Sequence, residues 1–115
     1  MAVTAFASGT QTAVIGTEHF LANVNEAGVF TLHVDKHAMA AGDVLELRVY
    51  QMVLTGGTAR VWKTYTFYGA QAADDAIFIS DPVSNQLTDA QSLRFSLKQT
   101  FGTGRSFPWK VLKHN

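Results

Sequence analysis

Apolar and polar residues alternate with a period of two through most of this chain. In the stretch Val29 to Asp35, Phe30, Leu32 and Val34 fall on one face, with Thr31, His33 and Asp35 opposite. Leu45, Leu47 and Val49 oppose Glu46 and Arg48, and Leu93, Phe95 and Leu97 oppose Arg94, Ser96 and Lys98. Phe107, Trp109 and Val111 oppose Ser106, Pro108 and Lys110. Successive side chains of a strand point to opposite faces of its sheet, so the pattern predicts antiparallel strands with one buried face. Ala59 to Tyr68 and Ala76 to Ser80 are apolar but less regular, and Thr12 to Asn23 adds one or two further strands. No helical stripe competes, since Lys36 to Ala41 allows about one turn before Gly42. The predicted fold class is all-β: a single-domain antiparallel β-sandwich, jelly-roll-like, of about seven or eight strands.

Turn chemistry agrees with this reading. Thr55-Gly56-Gly57-Thr58 separates two long strand-like runs and reads as a hairpin, because glycine reaches the positive φ of tight hairpin turns. Gly102-Thr103-Gly104 reads as a hairpin between the last two strands. The outward Pro108 places its strand at a sheet edge, since proline has no N–H to give to a ladder. Residues 1–12 are small and polar around Phe6 and carry no period. They read as a flexible N-terminal arm that packs only where a partner offers a surface, with residues 13–115 forming the sandwich.

The chain has 115 residues and no cysteine, which excludes a disulfide framework, thiolate catalysis and Cys-ligated zinc. With 47% hydrophobic and 16% charged residues it is not disordered. No apolar run of about 18 residues is present, so no helical span and no membrane partner are expected. The first residues lack the basic start and continuous apolar core of a signal peptide, which argues against Sec export.

Net charge is zero, but unevenly built. Met1 to Gly57 holds Lys36 and Arg48 against Glu18, Glu26, Asp35, Asp43 and Glu46. Ser92 onwards holds Arg94, Lys98, Arg105, Lys110 and Lys113 and no acid. That basic quarter suits an acidic surface, or it offsets the acidic half of the same molecule. The second reading is preferred, and nucleic acid is not the expected partner, because no nucleic-acid motif accompanies the charge.

Catalytic and metal signatures are weak. His33, Asp35 and His37 alternate as a His-x-Asp-x-His set that could offer imidazole ligands to zinc, provided the strand continues to His37. Asp74, Asp75, Asp81 and Asp89 supply oxygens in a loop-rich region but lack the calcium-loop spacing, and suit turn capping better. There is no Gly-x-Ser-x-Gly elbow and no glycine-rich phosphate loop opening a helix. The expectation is a protein that is not an enzyme and needs no metal or cofactor.

The aromatics are more informative. Phe30, Tyr65, Phe67, Phe95, Phe107 and Trp109 fit core positions, whereas Trp62 and Tyr68 share the opposite face of their run with Arg60, Thr64 and Thr66. Together with Tyr50 they form a candidate partner-binding strip, able to stack on sugar rings or to anchor a protein interface. Arg94, Lys98 and Lys110 join them as candidate partner contacts.

The stretches Gly16-Thr17-Glu18-His19, Ala38-Met39-Ala40-Ala41-Gly42-Asp43 and Lys98-Gln99-Thr100-Phe101-Gly102-Thr103-Gly104-Arg105 resemble a group of small structural proteins of tailed-bacteriophage virions, over about Gly16 to Lys113. The resemblance implies a virion component assembled in the host cytoplasm, and carries no binding residue over onto this chain. The chain is too short for the tailed-phage major capsid fold and lacks the C-terminal helices of small RNA-phage coat proteins. What remains is a capsid decoration or cement protein, its partners being the major capsid protein and copies of itself. The alternatives are a carbohydrate-binding or host-recognition module, for which a glycan is the partner, and a neck or tail component.

Overall fold

A computed structural model describes residues 2–114 of the chain. Nine strands follow one another: β1 (Val3–Thr12), β2 (Glu18–Val24), β3 (Gly28–Asp35), β4 (Val44–Gln51), β5 (Arg60–Tyr68), β6 (Ile77–Ile79), β7 (Val83–Asn85), β8 (Leu93–Phe101) and β9 (Ser106–His114). A single 3₁₀ turn, Ala73–Asp75, precedes β6. The first sheet runs β1-β9-β3-β6, with β7 also paired to β3, and the second runs β2-β8-β4-β5. All pairs are antiparallel.

This is the strand order of a jelly roll, in which the chain passes repeatedly between two facing sheets. Nine strands occupy eight positions, because β6 and β7 are two pieces of one strand beside β3, divided at Asp81 and Pro82. The inward residues read from the alternation form the core: Phe30, Leu32, Val34, Leu45, Leu47, Val49, Leu93, Phe95, Leu97, Phe107 and Val111 are all buried. Phe78 packs against Tyr65 and Phe67, at 4.6 and 5.2 Å between ring centroids.

Three expectations need correction. Residues 3–12 of the expected flexible arm form strand β1, hydrogen-bonded along β9 with Val3 opposite His114 and Thr12 opposite Ser106; Met1 lies outside the described residues. Phe6 ties the strand inward, meeting the Phe30 ring edge-on at 5.5 Å. Pro108 lies on a central strand, not an edge. It stands opposite Thr10 of β1, one residue beyond the last β3–β9 pair, Val34 with Trp109.

The third concerns Gly102 to Gly104, which do not close a hairpin: β8 and β9 belong to different sheets, and the loop crosses between them. Gly102 has φ +95°, and the fully buried Gln99 side chain fixes the crossing. The Gln99 amide donates to the carbonyls of Phe101 and Thr103, while its oxygen accepts from the Arg105 N–H. By contrast, Gly56 and Gly57 do turn a true hairpin between β4 and β5.

Candidate functional site

The outer face of the second sheet carries five of the six candidate partner residues. Register places its outward side chains in rows across the strands β2, β8, β4 and β5. One row is Glu18, Lys98, Glu46 and Thr66; the next is Phe20, Ser96, Arg48 and Thr64; the third is Asn23, Arg94, Tyr50 and Val61. Beyond the first row, Phe101, Val44 and Tyr68 align at one end of the sheet. Tyr68 is 72% and Phe101 66% exposed, values that mark them as uncovered apolar groups. At the opposite end Val61 and Trp62 both face out, and Val53 and Leu54 of the β4–β5 hairpin are exposed as well.

The middle of this face is a fixed ionic network. Glu18 accepts the Tyr50 hydroxyl at 2.5 Å and the Ser96 hydroxyl at 2.6 Å, with Arg48 at 3.8 Å. Arg48 also donates to Glu46 at 2.8 Å. Partial burial pushes the Glu18 carboxyl up, but the bonds from Ser96 and Tyr50 and the charges of Arg48 and Lys98 outweigh it and hold it below the usual range. Burial, together with the bond to Glu18, raises the Tyr50 phenol. The Arg94 guanidinium lies 3.6 Å from the Phe20 ring centroid and bonds Asn23 at 2.8 Å, and Phe20 in turn packs on Tyr50 at 5.5 Å. These contacts hold Tyr50 and Arg94 in place within the face.

The expected aromatic strip is therefore divided. Trp62 and Tyr68 share the outward face of β5, six residues or about 20 Å apart. Tyr50 lies between β8 and β5, its hydroxyl and ring both engaged within the face. Lys110 is on the other side of the molecule, on the first sheet, because β9 pairs with β1 and β3. There it borders an open cleft of about 500 Å³ lined also by Ser8, Thr10, His33, Asp35, Ile77 and Pro108.

The basic quarter does not form one surface. Because β8 sits between β2 and β4, Lys98 lies directly between Glu18 and Glu46. Arg105 bonds Asp43 at 2.9 Å, and Lys113 bonds Glu26 at 2.8 Å. The charge split along the sequence thus becomes pairing across strands and loops. The metal candidates do not converge either. His37 leaves the strand, and its N–H is taken by the Asp35 carboxylate at 2.9 Å. Asp81 pairs with Lys63, and Asp89 accepts from Thr55 and Gly56 to clasp the β4–β5 hairpin. Among the described residues no three His, Asp or Glu side chains gather as a metal site.

His33 sits instead in a small hydrogen-bonded set, sharing the Thr31 hydroxyl with His114, each at 3.0 Å. Burial, with Lys110 and His114 nearby, depresses its pKa below the ordinary 6.5. An imidazole that resists protonation when folded but accepts it when unfolded makes stability fall on acidification. The loss begins as pH drops below about 6.5 and is complete below the depressed folded value. His33→Gln is expected to flatten the change in thermal midpoint between pH 7.5 and 5.5, and equal slopes in both proteins would refute the assignment.

Glu18, Phe20, Arg48 and Ser96 were not among the residues singled out from sequence. The signal for β2 is broken by a bulge at Leu21, which sets Glu18, Phe20 and Asn23 outward while Ala22 and Val24 are buried. A second bulge, at Trp62, turns both Val61 and Trp62 to solvent. No protein-family model, curated protein or solved structure matches the chain.

Proposed function

We propose that this chain is a non-enzymatic structural protein of a tailed-bacteriophage virion, a decoration protein that seats on the major capsid protein of the head and stabilises the shell. The observation that carries this reading is the outer face of the second sheet, with two exposed apolar ends about 20 Å apart and a fixed ionic middle between them. Aromatic anchors ringed by polar groups are the anatomy of protein interfaces, where Trp, Tyr and Arg carry most of the binding energy. Scattered exposed apolar residues need no explanation, but clusters such as these do. Trp62 with Val61 would anchor one end and Tyr68 with Phe101 the other, bridging neighbouring subunits. Burial of apolar area and charge complementarity would supply the stabilisation, with no bond made or broken.

The carbohydrate reading is less well supported. Trp62 and Tyr68 are too far apart to stack on one sugar ring, and Tyr50 is engaged by Glu18 and Phe20. Co-sedimentation with capsids lacking the protein tests the proposal. Saturable, stoichiometric binding is expected, and Trp62→Ala or Tyr68→Ala should weaken it roughly 30-fold, as loss of an interface anchor does. No binding to capsids, with glycan-array hits lost in Trp62→Ala, would replace it with the carbohydrate reading. Binding to isolated necks or tails instead of shells would move the protein to that part of the virion.

A further inference from the structure

A two-sheet sandwich exposes four strand edges, and three of them here carry features that discourage pairing. β2 has Glu18 and His19 and a bulge at Leu21. β5 has Arg60 and Lys63 and a bulge at Trp62. The edge formed by β6 and β7 consists of two three-residue pieces separated by Asp81 and Pro82. Charges, bulges, prolines and short length are the usual means by which proteins blunt a row of unpaired N–H and C=O groups. β1 is different. It is ten residues long, with neither a charge nor a proline, and after its bulge at Phe6 it runs regularly from Ala7 to Thr12. Those six residues present about 20 Å of free backbone edge.

The two open sides of the sandwich differ in the same sense. Beside β5 and β6, the gap between sheets is closed by polar groups. The buried Lys36 amine lies 3.7 Å from the Phe67 ring centroid and bonds Gln71, while Asp81 joins Lys63 and the Tyr65 hydroxyl. Beside β1 and β2 there is no such closure, since among the described residues no side-chain hydrogen bond or ion pair joins these strands. Phe6, Ala7, Leu21 and Trp109 pack on the core from there while remaining partly exposed. An unprotected edge and an incompletely covered core thus coincide.

We infer that β1 is the contact between two copies of this chain, its edge pairing antiparallel with the β1 edge of a second copy. The occupant is argued from charge. β1 is the one long uncharged edge available, so pairing with itself brings no like charges together, whereas β2 and β5 each bring charged side chains. Two-fold pairing is also self-limiting, because each copy uses its free edge once and none is left to extend a fibre. The result is one continuous sheet across the pair, β6-β3-β9-β1 followed by the same strands in reverse. Each copy then covers more of the other's half-buried Phe6 and Ala7, and the two docking faces belong to one rigid unit. The inference deepens the assembly reading above by naming the surface for self-association.

The test uses the intact chain without capsids, so its failure and that of the capsid proposal are separable. Sedimentation and native mass measurement are expected to give a dimer. Ser8→Glu combined with Thr10→Glu should weaken dimerisation at least tenfold. Ser8 faces Lys110 within its own molecule, so the glutamate is tolerated there, and an unchanged circular dichroism spectrum would show it. The chain contains no cysteine, so single substitutions report contact directly. Of Ala7→Cys, Ser8→Cys, Gly9→Cys and Thr10→Cys, cross-linking should peak at the position nearest the two-fold axis, where Cα atoms approach within disulfide reach. A monomer up to roughly 100 μM, weaker than useful self-association, would overturn the inference. So would an oligomer untouched by the glutamates, or flat cross-linking across the four positions.

Discussion

Asp43→Ala is expected to lower the unfolding free energy by about 3–5 kcal/mol, because two part-buried N–H groups lose their acceptor, at roughly 1–3 kcal/mol each, and the partly exposed Arg105 loses its ion pair. For a domain of this size that is a fall in thermal midpoint of roughly 15 °C. Asp43 is 1% exposed and stands just before β4. Its carboxylate accepts from the Ala40 N–H at 2.9 Å, the Thr103 N–H at 3.2 Å and the Arg105 guanidinium at 2.9 Å. Its carbonyl accepts from the Gly69 N–H at 2.8 Å. One side chain therefore clasps the loop before β4 to the crossing between β8 and β9. Alanine leaves two N–H groups and a guanidinium without their acceptor. Burial pushes the Asp43 carboxyl up, but the three donors outweigh it and hold the group below the usual carboxylate range. A depressed folded pKa contributes stability above the unfolded value and loses it as pH falls through the folded one. The difference between wild type and Asp43→Ala should be full above about pH 4 and shrink in stronger acid. Urea unfolding at pH 7 and pH 3 measures both, and a midpoint at pH 7 matching wild type would refute the clasp.

Gly102→Ala is expected to do comparable damage from the opposite side of the same contact. At φ +95° an L side chain is strained, which costs about 1–2 kcal/mol. The greater problem is space: a Cβ there would stand 1.9 Å from Asp43 Oδ1 and 2.8 Å from its Cα. Asp43 must move, and its three bonds go with it, for a total near 4 kcal/mol. Because the clasp can be lost only once, Gly102→Ala in the Asp43→Ala background should cost much less than alone, a coupling of about 2 kcal/mol. Gly56→Ala is the control. It has φ +76° but open space around it, so strain alone should appear, about 1 kcal/mol. Equal effects at Gly56 and Gly102 in urea titrations would show that the collision with Asp43 is unimportant.

The fold class was legible because alternation is a local signal. Phe30, Leu32, Leu45, Leu47, Phe95, Leu97 and Phe107 are buried where the period of two puts them. Connectivity was not legible, since nothing local to Gly102-Thr103-Gly104 distinguishes a hairpin from a crossing. That distinction rests on Asp43 and Ala13, whose carbonyl leaves no room for a side chain at Gly104, both far away in sequence. β1 lacked any period because an edge strand with a bulge at Phe6 has little of one face to bury. On the candidate face, Trp62 and Tyr68 were recognisable from alternation, but the Glu18–Tyr50–Ser96 network was not, since it joins three strands whose register no single stretch encodes. Lys110 parted from Arg94 and Lys98 for the same reason that the expected hairpin failed, the two last strands lying in different sheets.

The pairing of β1 with β9 also sets a timetable. Val3 finds its partner in His114, more than a hundred residues later. At a ribosomal pace of about 5–20 residues per second, β1 waits roughly 5–20 s for its template to be made. Throughout that interval the least protected strand of the molecule has both edges free. The second sheet's hairpin, β4 with β5, forms from neighbours and can be in place long before. The first sheet is then completed last, and a nascent chain is most exposed to mispairing with its own kind through the strand that will sit at its rim.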